Sequence, residues 1–258
     1  MRVFVLCSSA EVAAQVELAR EAERAGLDGV WVRGPASPHG DSYATTAAAA
    51  VASATEHLRI GVVLSLTAPD DVLRLAEDLA VLDHCSSGRA ELCLATSPEV
   101  GRLLTNLHTC TVDERQVTVT PGPLQPTIPA VLAGPSCPGV GQVVELQDPP
   151  AQVSPDPATR VVLRVDEQET QAVVTTLADP DALAGAVDRL RSAVQACSAR
   201  DVLFTVPAAG LSTHVDALAS VVAPLLRANA DEVPDMVLDT LTFRGARAAF
   251  DPVPTPAH

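Results

Sequence analysis

Two histidines occupy positions where an α/β protein can place proton-transfer groups. His39 lies in a predicted loop after a strand, and His108 lies in the irregular middle of the chain. Imidazole titrates near neutral pH, so either side chain has the chemistry of a general acid or base. A solvated loop histidine without a catalytic role is the alternative for each. No two of the six histidines are spaced like metal ligands, and the sequence predicts no metal site.

Small hydroxyl side chains end two of the predicted strands. Ser65 and Thr96 stand where barrel enzymes build their sites, and either could contact a ligand. Polar residues are also common at the strand ends of any barrel, so a role without a ligand is the alternative. The sequence has no Gly-x-Ser-x-Gly elbow and no visible Ser/His/Asp arrangement, which disfavours a hydrolase.

The chain contains no lysine, since all 17 basic residues are arginine. Schiff-base catalysis, covalent attachment of pyridoxal phosphate and the P-loop lysine are therefore excluded. The formal net charge of -15 and the 2% aromatic content disfavour a nucleic-acid partner, because an acidic surface repels phosphates and few rings remain for base stacking.

The cysteine pattern and the apolar runs indicate a cytoplasmic protein. No two of the six cysteines have C-x-x-C spacing, which is typical of buried thiols in a reducing compartment. The opening apolar run is too short for a signal peptide, and charges interrupt every run that could span a membrane. We expect no membrane partner.

Strand and helix patterns alternate along most of the chain, which predicts a parallel sheet covered by helices. Seven or eight strands and a single domain over residues 1–258 are expected, with an irregular tail from about residue 251. The predicted strands are Arg2–Cys7, Asp28–Arg33, Leu58–Leu66, Ala90–Ala95, Gln116–Thr120, Pro129–Ala133, Arg160–Val165 and Val202–Val206. The principal predicted helices are Glu11–Ala25, Ser42–Ala54, one beginning at Pro69, Pro180–Cys197 and Val215–Leu226.

Four segments resemble the bacterial luciferase-like monooxygenases. They are Glu17–Val32, Leu58–Leu66, Leu75–Ala95 and Val117–Ser136, and they follow the family's order. The resemblance implies a (β/α)8 TIM barrel of the luciferase-like type, abridged in its middle. It also implies reduced FMN or F420 as cofactor at the carboxyl ends of the strands. Members of the family oxidise small organic substrates or, with F420, transfer hydride.

The resemblance also implies where a cofactor phosphate would bind. Gly134 and Ser136 belong to a turn whose backbone and serine hold that phosphate in relatives, and a small-residue turn after a strand can form an anion nest. An ordinary βα turn is the alternative. With Ser65 and Thr96, these two residues form the predicted cofactor-binding set.

The chain departs from the family at positions that face the cofactor. Gly34-Pro35 replaces an acidic residue and histidines, Val62 replaces a small hydroxyl residue, and Cys93 to Ser97 replaces a glycine-rich strand exit. Relatives also carry longer segments between residues 97 and 108 and between 165 and 179. We therefore expect weak or absent FMN or F420 binding.

Two functions remain open from the sequence. The first is an oxidoreductase of the monooxygenase type, using reduced FMN or F420 on a small organic molecule. The second is a barrel that has lost catalysis and serves as an accessory subunit or ligand-binding protein. An open cavity at the strand ends favours the first, and a cavity filled by Leu, Val and Cys favours the second.

Pairing with a second subunit, as a homo- or heterodimer, is expected because relatives pair through helices on one side of the barrel. The alanine-rich helix around residues 44–54 and the helix containing AEDLAVL are the candidate surfaces.

Overall fold

The structure is a computed structural model that describes residues 1–35, 40–65, 72–94, 109–112, 115–133, 140–146 and 160–228. The strands are β1 (Arg2–Cys7), β2 (Gly29–Arg33), β3 (Arg59–Leu64), β4 (Ala90–Leu94), β5 (Thr109–Val112), β6 (Arg115–Thr118), β7 (Ala130–Leu132), β8 (Gly141–Glu145), β9 (Val161–Val165) and β10 (Asp201–Val206). The helices are α1 (Val12–Arg24), α2 (Gly40–Ala54), α3 (Val72–Cys85), α4 (Glu167–Thr175), α5 (Pro180–Ala196), α6 (Leu211–Ala217) and α7 (Ala223–Arg227). A π-helical turn, Leu218–Val222, joins α6 to α7.

Within the described residues, eight parallel strands close a barrel in the order β1-β10-β9-β8-β7-β4-β3-β2. The remaining two strands, β5 and β6, form a separate antiparallel ribbon. The predicted α/β barrel is confirmed. Because all barrel strands are parallel, their carboxyl ends meet at one end of the barrel, which we call the mouth, and their amino ends meet at the other, the base.

Strand residues alternate between two apolar layers, as the pleat requires. One set faces the surrounding helices and forms the main core. The other faces the barrel axis and forms an inner cluster of Phe4, Leu6, Trp31, Cys93, Val131, Val143, Val162 and Leu203. Except in β8, both faces of the barrel strands are therefore largely apolar, which is why these strands read as hydrophobic runs.

One predicted strand lies outside the barrel, and one barrel strand was missed. Gln116–Thr120 corresponds to β6, which pairs only with β5 in the described structure. The place in the barrel belongs to β8, whose sequence GQVVE mixes polar and apolar residues and follows a proline- and glycine-rich stretch of sequence. Such a short pattern is weak in the sequence, and pairing with β7 and β9 decides its conformation.

Helix starts were predicted with mixed success. Asp179 accepts hydrogen bonds from the N–H groups of Asp181 and Ala182 and precedes Pro180, as expected for an N-cap. Thr213 and Asp216 have the spacing of a capping box in the sequence, but they do not begin the helix, because α6 already begins at Leu211 after a left-handed glycine. Helix α4 was not predicted, since it falls in a segment that looked shortened against the family.

Two charged side chains hold the connection from α2 to β3. The Glu23 carboxylate accepts the backbone N–H groups of residues 56–58, and Arg89 donates to the carbonyls of Ala52 and Thr55. Partial burial raises the pKa of Glu23, but the three backbone hydrogen bonds outweigh this and leave the pKa below its usual value. The turn is thus fixed by groups that are distant in sequence.

A charged cluster closes the base of the barrel, and we call it the basal cluster. It consists of three arginines, Arg2, Arg59 and Arg160, around the carboxylates of Glu91 and Asp201, which are each 1% exposed. Asp201 bonds to Arg2 at 2.8 Å and to Arg160 at 2.5 Å. Glu91 contacts all three arginines. Each buried carboxylate therefore has at least two cationic partners, as burial of charge requires.

None of the helices in the described ranges has both the length and the apolar character needed to cross a lipid bilayer.

Candidate active site at the barrel mouth

The described part of the mouth has an apolar floor. Val63 and Ala133 pack against the inner cluster and remain partly exposed, while Cys93 beside them is 3% exposed. Below this floor the barrel is filled by the inner cluster. A partly exposed apolar floor over a filled interior suits one face of a planar ring system.

A charged pair stands at the edge of this floor. Arg164 and Glu145 are neighbours in register on β9 and β8, and their side chains meet at 3.1 Å. By strand alternation from Val162 and Val143, both side chains lie on the axial side of the barrel. Arg164 keeps 33% of its side-chain surface exposed, yet its Nε is buried without a hydrogen-bond partner. One donor of this guanidinium is therefore left for a ligand.

Two further buried polar atoms line the barrel interior without a partner. They are the indole Nε1 of Trp31 and the hydroxyl Oγ1 of Thr205, on residues that are 1% and 4% exposed. Both residues are register neighbours of Leu6, on opposite sides of β1. An unmade buried hydrogen bond costs about 1–3 kcal/mol, so a ligand or water that offers acceptor atoms is favoured there.

The Cys93 thiol is not an activated nucleophile. Burial raises its pKa to about 12, and the opposing effect of the nearby Arg164 and Arg160 charges does not reverse this. At neutral pH the group is a thiol rather than a thiolate, and only the thiolate is strongly nucleophilic. Cys93 thus contributes apolar surface to the floor.

A second arginine is fixed at the mouth by a buried glutamine. The Gln15 side chain accepts the backbone N–H of Arg33 and donates to its carbonyl, at 3.1 and 3.0 Å. The guanidinium of Arg33 in turn donates to the carbonyl of Ser8, which follows β1. Neither Gln15 nor Arg33 was singled out from the sequence, because only the closed barrel brings the ends of β1 and β2 together.

Most of the predicted site residues lie outside the described part of the chain: His39, Thr96, His108, Gly134 and Ser136. Ser65 directly follows β3 and is exposed at the mouth, as predicted for a residue at a strand end. Its predicted contact with a cofactor remains a prediction. Across the described ranges, no group of three or more histidine, cysteine or acidic side chains is arranged to hold a metal ion.

The inward positions of β3 differ from those expected. Val62, which aligns with the family's small hydroxyl residue, belongs to the main core outside the barrel. Gly61 instead faces Trp31, and a Cβ at this position would lie 2.3 Å from the indole Cδ1. The Trp31 indole therefore occupies the space that a side chain at position 61 would need.

Comparisons with known proteins agree with this architecture. Residues 1–101 match the family model described as luciferase-like monooxygenase. No curated protein matches the chain.

Several solved structures share the fold at low sequence identity. The monooxygenase RslO1 from Streptomyces bottropensis has a TM-score of 0.63 and 16% identity, over 87% of this chain and 99% of that one. The coenzyme F420 dependent tetrahydromethanopterin reductase from Methanopyrus kandleri has a TM-score of 0.61 and 12% identity, over 88% and 99%. The long-chain alkane monooxygenase LadA has a TM-score of 0.61 and 11% identity, over 92% and 95%. The first 101 residues therefore resemble the luciferase-like monooxygenase family, and the described barrel has the fold of these solved structures.

Proposed function

We propose that the protein is an oxidoreductase of the luciferase-like type that binds a reduced flavin-type cofactor, FMN or F420, at the barrel mouth and acts on a small organic molecule. The observation that carries this proposal is the partly exposed apolar floor of Val63, Cys93 and Ala133, bordered by Arg164. The match of residues 1–101 to the luciferase-like family model supports the cofactor class, and one neighbour of similar fold is F420 dependent by its name.

The described residues fit such a ring system. Its apolar face would lie on the floor, and its ring oxygens are acceptors that suit a donor such as the buried Nε of Arg164. When bound, the reduced cofactor supplies the electrons or hydride for the reaction. The chain's own residues bind and orient it: Arg164 by a charge-assisted hydrogen bond, and the floor by excluding water from one face.

An accessory or ligand-binding role is the second candidate, and a specific observation favours it. The described ionisable side chains beside the apolar floor are Cys93, Glu145 and Arg164, and Glu145 already neutralises Arg164. A protonated thiol and an arginine already paired with a carboxylate offer little proton transfer on this floor near pH 7. Catalysis would then depend on residues such as His39 or His108, or would be lost.

Cofactor titration separates these roles. We expect FMN and F420, oxidised or reduced, to bind no tighter than about tens of micromolar, because the chain has no lysine and few charge-assisted contacts for a phosphate. Calorimetry or fluorescence quenching measures this directly. Arg164→Gln should weaken binding by about tenfold, whereas Arg189→Gln, which breaks a surface pair with Glu169, should not.

The outcomes of this titration decide between the candidates. Binding that depends on Arg164 supports the cofactor site. A submicromolar dissociation constant would show that the expectation of weak binding is wrong and would strengthen the enzyme. No binding in any titration would reject the cofactor proposal and leave the accessory role.

We also propose that the chain pairs with a second subunit, as a homo- or heterodimer. The alanine face of α2 is already used inside the protomer, since Ala44, Ala47 and Ala48 are fully buried. Helix α3 is therefore the better candidate surface, because Val81 on it is 48% exposed. We expect a homodimer, when purified alone, by gel filtration and light scattering at micromolar concentration. A monomer in both measurements would reject self-association.

A further inference from the structure

The base of the barrel holds a cavity that the proposed cofactor site does not use. Its volume is 510 Å³, and its lining residues are Met1, Arg2, Arg160, Ala199, Arg200 and Asp201. Because the barrel strands are parallel, this cavity and the mouth lie at opposite ends of the barrel. Three of the six lining residues are arginines in a chain whose net charge is -15, so the local charge has the opposite sign to that of the whole protein.

Two of these guanidinium groups are held in place before any ligand arrives. Arg2 donates Nε and Nη2 to the two oxygens of Asp201, both at 2.8 Å, and Arg160 donates Nε to the same carboxylate at 2.5 Å. Both groups also lie over the Phe4 ring, 5.3 and 5.6 Å from its centroid. Little side-chain entropy would be lost when these arginines bind an anion, because their positions are already fixed.

The basal cluster carries an excess of positive charge. Its three guanidinium groups face two carboxylates, which leaves one positive charge uncompensated within the cluster. Asp201 and Glu91 together engage all three nitrogens of Arg2, and Nε and Nη2 of Arg160. Each guanidinium has five N–H donors, so these contacts leave the second hydrogens of the engaged Nη groups and the Nη1 group of Arg160. Donors at the cavity wall therefore remain for an anion.

We propose that this basal cavity binds a small, multiply charged oxyanion, such as a phosphate ester or a polycarboxylate. Planar guanidinium groups with several parallel N–H donors match the oxygens of phosphate and carboxylate. The volume lies in the range of small-molecule pockets, roughly 300–1,000 Å³, so an anion of this size has room to bind. The site is separate from the cofactor site and does not depend on its existence.

Anion titration of the whole protein tests this site. Inorganic phosphate and citrate are the probes. Calorimetry and thermal unfolding measure their effect, and sodium chloride at equal ionic strength is the control for each. We expect saturable binding and a rise of the melting temperature with at least one probe, because a ligand that binds only the folded state stabilises it. Phosphate and citrate together distinguish a phosphate ligand from a carboxylate ligand.

Substitutions locate the binding. Arg2→Gln should weaken it by about tenfold or more, while Arg189→Gln on the surface and Arg164→Gln at the mouth should leave it unchanged. If Arg2→Gln does not fold, Arg2→Lys replaces it, and wild-type affinity in that variant would count against the site. Absence of saturable binding for both anions, or equal affinity with and without Arg2, would overturn the proposal and leave the basal cluster a purely structural feature.

Discussion

The Glu91→Gln variant is expected to lose about 3–5 kcal/mol of unfolding free energy, which is the typical cost of removing one partner from a buried ion cluster. The Glu91 carboxylate is 1% exposed and lies against three arginines, with Arg160 at 2.7 Å and Arg2 at 3.5 Å. Glutamine keeps the size but removes the charge, so Arg59 would lose its carboxylate partner and Arg2 and Arg160 would keep only Asp201. Their mutual repulsion inside the barrel is the physical cause of the loss.

Urea unfolding measures this change, and a surface pair gives the matched control. Glu169→Gln makes the same chemical change in an exposed ion pair with Arg189, where we expect at most about 1 kcal/mol. The difference between the two variants isolates the effect of burial. A loss below about 1 kcal/mol for Glu91→Gln would mean that the basal cluster is hydrated or rearranged in solution.

The barrel could be predicted from the sequence because its signal is local. Each buried strand is a short apolar run, each helix has a 3.6-residue apolar stripe, and caps such as Asp179-Pro180 mark the boundaries. Strand β8 was not predicted, because polar and apolar residues alternate only weakly in its five positions and the neighbouring strands stabilise it. Tertiary pairing, rather than local preference, decides such a segment.

The charged sites could not be predicted in the same way, because their partners are distant in the chain. Arg2 and Asp201 meet only when the first and last barrel strands pair and close the barrel. Nothing in the sequence pointed to a partner for Glu91, Gln15 or Arg33. The sequence shows which residues are charged, but only the strand register of the closed barrel shows which of them form ion pairs.

The Gly61→Ala variant is expected to lose about 1–3 kcal/mol of stability through overpacking of the barrel interior. The added Cβ would lie 2.3 to 2.7 Å from three atoms of the Trp31 indole. That ring cannot move aside freely, because it is 1% exposed and packs edge-on against Phe4 at 6.3 Å. Since Trp31 is the chain's single tryptophan, its fluorescence should report the displacement directly.

A double-mutant cycle shows whether this contact causes the loss. Trp31→Leu shortens the side chain that the new methyl group would meet, so Gly61→Ala should cost less in that background than in the wild type, by about 1 kcal/mol or more. Gly29→Ala is unsuitable as a control, because its Cβ would meet both the Phe4 ring and the Arg59 carbonyl. Gly185→Ala on α5 serves better, since nothing lies within 4 Å of its Cβ and alanine favours helix. Additive losses in the cycle would show that Gly61 and Trp31 do not interact. A coupled loss would establish that the Trp31 indole packs into the space beside Gly61, where a side chain would otherwise lie. Any space for a ligand would then begin above this contact, at the mouth.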